Sequence, residues 1–261
     1  MISLKYKLLL VFAVLNGINL TAQKKLEPKD TEYYTPVPKK VTPANGIASA
    51  PSDAIVLFNG TNMDEWELVN NSTSSNKWDL IDGVMRVNKP NGDLQTKRKF
   101  MNFQLHIEYL IPNYITGEGQ ARGNSGIFLA ALPNGMGTAG GYELQVLDNY
   151  INTTYVNGQV GSIYKQSPPL VNAALAPGEW QSFDVIWTAP LFNEDGTVKS
   201  AARMTALHNG ILVQNNFELT GDTPFVGQPI YIKHGAMPLK LQAHGDKSEP
   251  ISYRNIWLRP L

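Results

Sequence analysis

The chain has no cysteine. That excludes disulfides, thiolate metal sites, a thiol nucleophile and a lipid anchor on an N-terminal cysteine. An excess of charge of either sign is also missing, because 22 Lys and Arg balance 22 Asp and Glu. There is thus no basic footprint for nucleic acid and no acidic tail. Long hydrophobic runs are missing too. The apolar run at residues 8–15 is too short to cross a bilayer. No stretch of about twelve residues carries the i, i+3, i+4 pattern of an amphipathic helix. A phosphate loop, a dinucleotide fingerprint, HExxH, GxSxG and an internal repeat are all lacking.

What remains is enough to build a large core, since 43% of the 261 residues are hydrophobic. Ten per cent aromatics, 22 glycines and 17 prolines suit an all-β fold with many turns. Residues 1–22 read as a signal peptide. Lys5 and Lys7 give a positive start, residues 8–15 the apolar segment, and Leu20-Thr21-Ala22 a small-residue exit. Cleavage there leaves two more acids than bases. The expectation is an exported protein, periplasmic or secreted, not a lipoprotein and without a membrane span after cleavage. Residues 23–53 form a Pro-rich arm, with Pro36, Pro38, Pro43 and Pro51 interrupting regular structure. Tyr33 and Tyr34 either pin this arm to the domain or ride on a loose tether.

Residues 54–261 form the domain. Short apolar runs recur every ten to fifteen residues with turn signals between them, which predicts an all-β sandwich or barrel. Asp82-Gly83 and His208-Asn209-Gly210 read as hairpin turns, with His208 as a turn residue. In Asn102–Tyr109, Phe103, Leu105, Ile107 and Tyr109 face one way, and Gln104, His106 and Glu108 the other. Arg122-Gly-Asn124-Ser125 is a glycine loop running into a strand, where Asn124 either binds a ligand or shapes the loop. Gly161–Pro169, which contains Lys165, reads as a strand ending in a rigid loop. Pro238–Gly245 alternates with Lys240, Gln242 and His244 on one face.

The stretch the chain is built around is Gly140–Asn149. Tyr142, Leu144 and Val146 alternate with Glu143 and Gln145, so a carboxylate and an amide share one face of a strand. A β-bulge after Gln145 would bring Asp148 onto that face. Two acids and an amide together can bind a sugar, hold a metal or perform acid/base chemistry. The same pattern also fits a solvated outer face with an Asx turn. Asp93 reads as turn chemistry before a strand.

Five motifs occur in order: Leu57-Phe-Asn-Gly-Thr-Asn-Met-Asp-Glu-Trp66, Gly123-Asn-Ser-Gly-Ile-Phe128, Gly141-Tyr-Glu-Leu-Gln-Val-Leu-Asp148, Pro177-Gly-Glu-Trp180, and Leu241-Gln-Ala-His-Gly245 with Tyr253-Arg-Asn-Ile256. Together they resemble the 3-keto-disaccharide hydrolase domain family, long a domain of unknown function, over about residues 53–261. The resemblance implies a two-sheet antiparallel jelly roll of the concanavalin A type. It also implies cleavage of glycosides whose sugar carries a 3-ketone. Members of that family often have Asp before the His-Gly, where this chain has Ala243, so His244 needs another partner, with Asp246 a candidate. The Glu143 strand is also similar to that of retaining β-glucanases of this fold, which carry Glu-x-Asp-x-x-Glu. Here Gln145 replaces the central acid, and Asp148 the last, which suits a nucleophile–acid pair less well.

The keto-sugar route needs a base for the hydrogen on C2, an electrophile for the developing oxyanion and a donor for the leaving oxygen. Glu143, His244 and Asp148 are the catalytic candidates, with the roles left open among them. Gln145, Glu108, Arg122, Asn124 and Lys165 are the substrate-binding candidates. A divalent metal ion is one candidate electrophile, with Glu143 and His244 as its candidate ligands. The expected partner is an oligosaccharide or glycoside. A non-catalytic lectin-like module and a conventional retaining glycosidase stand as the alternatives, because this fold serves both.

Overall fold

The computed structural model describes residues 49–75, 77–133 and 140–261. The expected signal peptide and all but the last few residues of the arm lie outside the described residues. Among the described residues there is no α-helix, only strands and three short 3-10 turns at Lys89–Asn91, Gly119–Ala121 and Val156–Gly158. None is long and apolar enough to cross a membrane.

The strands are β1 Ile55–Phe58, β2 Trp66–Leu68, β3 Asp79–Ile81, β4 Val84–Arg86, β5 Leu94–Thr96, β6 Phe103–Leu110, β7 Ser125–Ala131 and β8 Gly141–Val146. They continue with β9 Trp180–Thr188, β10 Leu191–Phe192, β11 Val198–Ser200, β12 Arg203–His208, β13 Ile211–Glu218, β14 Lys240–Leu241 and β15 Ser252–Pro260. One sheet runs β13-β12-β9-β6-β15-β4-β3, with β1 also on β15, and the other runs β2-β5-β14-β7-β8. β10 and β11 pair separately. The strand pairs are antiparallel, so the fold is the two-sheet jelly-roll sandwich expected.

The core lies between the sheets, where period-two alternation puts it. Phe103, Leu105, Ile107 and Tyr109 of β6 are buried against Tyr142, Leu144 and Val146 of β8 and their neighbours. The Tyr142 and Trp187 rings meet 5.3 Å apart. Trp66 is buried and donates its indole N–H to the Leu57 carbonyl at 2.9 Å, which satisfies the one polar atom the core ring brings with it.

The hairpin turns form as the residues dictate. Asp82 and Gly83 both have positive φ, as do Asn209 and Gly210. His208 is nevertheless a core residue and not a turn residue. Its ring is buried against Phe183 and Tyr109, and its Nε2 meets the Tyr109 hydroxyl at 2.8 Å. Burial pushes its pKa down to about 4, so it sits neutral. Gly161–Pro169 is not a strand. It contributes single bridges from Ile163 to Leu144 and to Ser167, because its two prolines remove the ladder donors beyond that point.

Candidate active site

On the outer face of the five-stranded sheet, register aligns two rows of side chains. Lys240 pairs with Phe128, and Phe128 with Glu143. One step along, the Gln242 N–H donates to the Gly126 carbonyl, and Gly126 pairs with Gln145. Pairs that share a row stand on the same face. A cavity of about 440 Å3 opens over these rows, lined among others by Asn124, Glu143, Gln145, Gln242 and His244.

Glu143 is 5% exposed, and its carboxyl has no hydrogen-bond partner among the described residues. It lies over Gly126, where a Cβ would fall 2.2 Å from its Oε1. Gly126 is thus the space into which the carboxyl folds. The backbone N–H of Glu143 donates to Thr223 Oγ1 at 3.0 Å, which ties the strand to the loop above it. Burial pushes the Glu143 pKa up to about 8, against the opposing pull of the Lys240 cation and with a small contribution from Asp93. Lys240 sits with its ammonium 3.8 Å from the centre of the Phe128 ring and 3.3 Å from Asp93 Oδ2. Asp93 Oδ1 accepts the Ala243 N–H at 2.8 Å, so this acid is structural, as its place before a strand suggested.

His244 finds its partner in Asp246, with Nδ1 2.6 Å from Oδ2. The carboxylate can only accept, so Nδ1 carries the hydrogen, and Nε2 is left for the cavity. Burial would raise the Asp246 pKa. Hydrogen bonds from His244, Lys89 and Ser248 outweigh it and hold the carboxyl well below the usual range. Lys89 Nζ stands 2.8 Å from Asp246 Oδ1 and also donates to the Ser248 carbonyl at 2.8 Å.

The amides divide the work. Gln145 gives its N–H groups to Asn124 Oδ1 at 2.9 Å and to the Val146 and Ser125 carbonyls. Its oxygen, rather than its nitrogen, is therefore what remains for a ligand. Asn124 in turn donates to the Gln120 carbonyl at 2.7 Å, so it shapes the loop and fixes Gln145. The Gln242 side chain makes no hydrogen bond to the described residues, and its Oε1 is buried and unpartnered. A buried amide oxygen without a partner costs about 1–3 kcal/mol, a demand that a donor on a ligand, such as a sugar hydroxyl, can meet.

The cavity thus brings together Glu143, Gln145, Asn124 and His244. It does not bring in the other four candidates. Asp148 is buried in an ion pair with Arg122, whose Nε is 2.6 Å from Oδ2, and Oδ1 accepts the Tyr150 N–H at 3.1 Å. The expected bulge after Gln145 is absent. β8 pairs regularly with β7 there, and the irregularity falls between Phe128 and Ala131. Arg122 also donates to the Ile115 carbonyl at 2.9 Å, so it is a loop brace. Glu108 belongs to the eight-stranded sheet. The inner face of β6 is filled by its apolar residues, so Glu108 points away from the core on the opposite side of the sandwich. There it accepts from Arg254 and, at 2.9 Å, from Asn255. Lys165 is not in the lining. Its ammonium donates to the Phe225 carbonyl and stands over the Phe225, Tyr164 and Tyr155 rings, which are.

Five lining residues went unread in the sequence. Gln120, Tyr155, Tyr164, Thr223 and Phe225 come from loops, where no periodicity marks a face. Gln242 did carry a signal, since it alternates with Lys240 and His244.

A metal was one candidate for this cavity. Among the described residues no three His, Asp or Glu side chains come together as ligands. Glu143 and His244 thus have no third His, Asp or Glu beside them to complete a metal site among the described residues, and the chemistry open to the pair alone is proton transfer.

A family model described as the 3-keto-alpha-glucoside-1,2-lyase-like domain matches residues 53–259. The chain belongs to this family. Among solved structures it is similar to a protein of Parabacteroides distasonis ATCC 8503 carried under a provisional glycosyl-hydrolase name. The two share 51% identity at a TM-score of 0.83, over 92% of this chain and 99% of that one. A second protein from the same organism, under the same provisional name, is 20% identical at a TM-score of 0.58, over 80% and 94% of the chains. That likeness speaks for the fold alone. A search of curated proteins finds no match.

Proposed function

We propose that the protein is a carbohydrate-active enzyme that cleaves 3-keto glycosides, with His244 as the base and Glu143 as the acid. The observation that carries this reading is that two titratable groups, Glu143 and His244, line one cavity. Glu143 is a buried carboxyl that holds its proton to about pH 8. His244 lines the cavity and gives Nδ1 to an ionised Asp246, which leaves Nε2 free to take a proton. A buried carboxyl that keeps its proton and an imidazole with a free ring nitrogen, lining one cavity, offer an acid and a base. Family membership supports the substrate class.

The steps follow from the ketone. His244 Nε2 takes the hydrogen from C2, and the electron pair passes to the C3 oxygen as an enolate. Asp246 stabilises the imidazolium that forms. The Gln242 side-chain NH2, which makes no hydrogen bond to the described residues, is the proposed donor to the C3 oxyanion. As the enolate collapses, the C1–O bond breaks and Glu143 gives its proton to the leaving oxygen. The product at this point is an unsaturated ketone. For hydrolysis, water adds to C1 with its proton going to Glu143, and C2 regains a proton from His244.

Mass-spectrometric assay of 3-keto glucosides tests the reading. Release of the aglycone, with the parent glucoside inert, is expected. Tight retention of glycan with no turnover would favour the lectin-like alternative. The expected export to the periplasm or medium stands as part of the proposal, and fractionation of cells carrying the intact chain checks it.

A further inference from the structure

The cavity lining falls into two parts by exposure. Glu143, Gln145, Asn124 and Phe128 are buried, at the polar floor. Phe225 is 71% exposed and Tyr155 40% exposed, yet both line the same cavity. They therefore form its rim. Large rings left open to water at the edge of a polar cavity are unfavourable unless something covers them in use.

These rings are also held. The Lys165 ammonium donates to the Phe225 carbonyl and lies 4.5 Å from the Phe225 ring centre, 5.6 Å from that of Tyr164 and 5.8 Å from that of Tyr155. The Tyr155 hydroxyl meets the Tyr164 hydroxyl at 2.8 Å. Gly158 lies against the Tyr155 ring, where a Cβ would fall 2.0 Å from Cε2. One lysine and one glycine thus fix an aromatic rim from two loops far apart in sequence. No lysine or arginine is among the described lining residues, so the rim presents rings rather than a cation to whatever covers it.

We infer that Phe225 and Tyr155 form a leaving-group subsite that stacks a ring with an apolar face, either a second pyranose or an aryl group. This rests on the reading above, in which Glu143 and His244 act on the keto sugar at the floor. With Glu143 at the floor as the donor to the leaving oxygen, the group that oxygen carries extends from the floor towards the open rim. Lys165 is a positioning residue for this subsite, acting through Phe225.

The test is Phe225→Ala, with Phe225→Trp as the conservative variant, on three substrates: methyl 3-ketoglucoside, phenyl 3-ketoglucoside and a 3-keto disaccharide. Since Phe225 is exposed, the melting temperature should not move. For Phe225→Ala the KM should rise about ten-fold on the ring-bearing substrates, about the worth of one stacked ring. The KM on the methyl glycoside and kcat on all three should stay within about two-fold, and Trp should restore the ring-bearing KM. An effect on the phenyl substrate alone would assign the subsite to aryl groups, and one on both to rings in general. Equal changes on all three substrates, or none, would overturn the subsite. If wild type cleaves none of the three, the proposed function falls and the subsite falls with it.

Discussion

At the residue scale, the account turns on a carboxyl kept dry. Each pKa unit corresponds to about 1.4 kcal/mol, so the buried Glu143 anion carries a real cost. Its folded pKa lies above the unfolded one. The stability it contributes is therefore complete below the ordinary carboxylate range and lost as pH rises to about 8. Glu143→Gln keeps the shape and removes the ionisation. The variant should melt like wild type near pH 5 and above it at pH 8–9, by about 1–3 kcal/mol. An unchanged difference across that range would show that the carboxyl is not shifted. Wild-type turnover should fall as pH rises through about 8, because the acid then loses its proton. Asp246→Asn should lower turnover by about 10²-fold or more with little change in KM, because the imidazole loses both its orientation and its counter-charge. Thermal melting beside the kinetics separates this from unfolding.

At the element scale, the site depends on register between β14, β7 and β8. Gly126→Ala puts a Cβ where the Glu143 carboxyl now lies. The carboxyl is the far end of a flexible chain and can swing aside, so the protein should fold. Turnover should fall about ten-fold or more, as expected when a catalytic group is misplaced by about 1 Å. An active Gly126→Ala enzyme would show that the carboxyl is not needed at that spot. Lys240→Met removes the cation that opposes the effect of burial, so the alkaline fall in turnover should move to higher pH. This face was partly legible in the sequence. Strict alternation at Tyr142–Val146 placed Glu143 and Gln145 correctly, and the missing acid at Ala243 pointed to Asp246. Asp148 was misplaced because a bulge was assumed where the ladder is regular. Which amide atom of Gln145 stays free was beyond the sequence, since Asn124 decides it from another loop.

At the scale of the whole molecule, two sheets share one core without a disulfide. Trp187 stands at its centre, fully buried against the Tyr142 ring at the start of the Glu143 strand. Trp187→Ala should cost about 3–5 kcal/mol in chemical denaturation. A loss under about 1 kcal/mol would mean that the core is looser than described. The sandwich was legible because period-two patterns survive in any setting. Which sheet each strand joins was not, and so Glu108 stood beside Glu143 as a candidate for the same site. β6 and β8 are both apolar on one side, and only the topology sets their polar faces on opposite sides of the protein. The central claim, that Glu143 is the acid and not the base, is tested most directly by leaving-group dependence. Rates of wild type and Glu143→Gln should be compared on methyl and 4-nitrophenyl 3-ketoglucosides. An acid is needed for methoxide and hardly for nitrophenolate. The variant should lose about 10²-fold or more on the methyl substrate and less than about ten-fold on the nitrophenyl one. Equal losses on both, or none on either, would contradict the assignment.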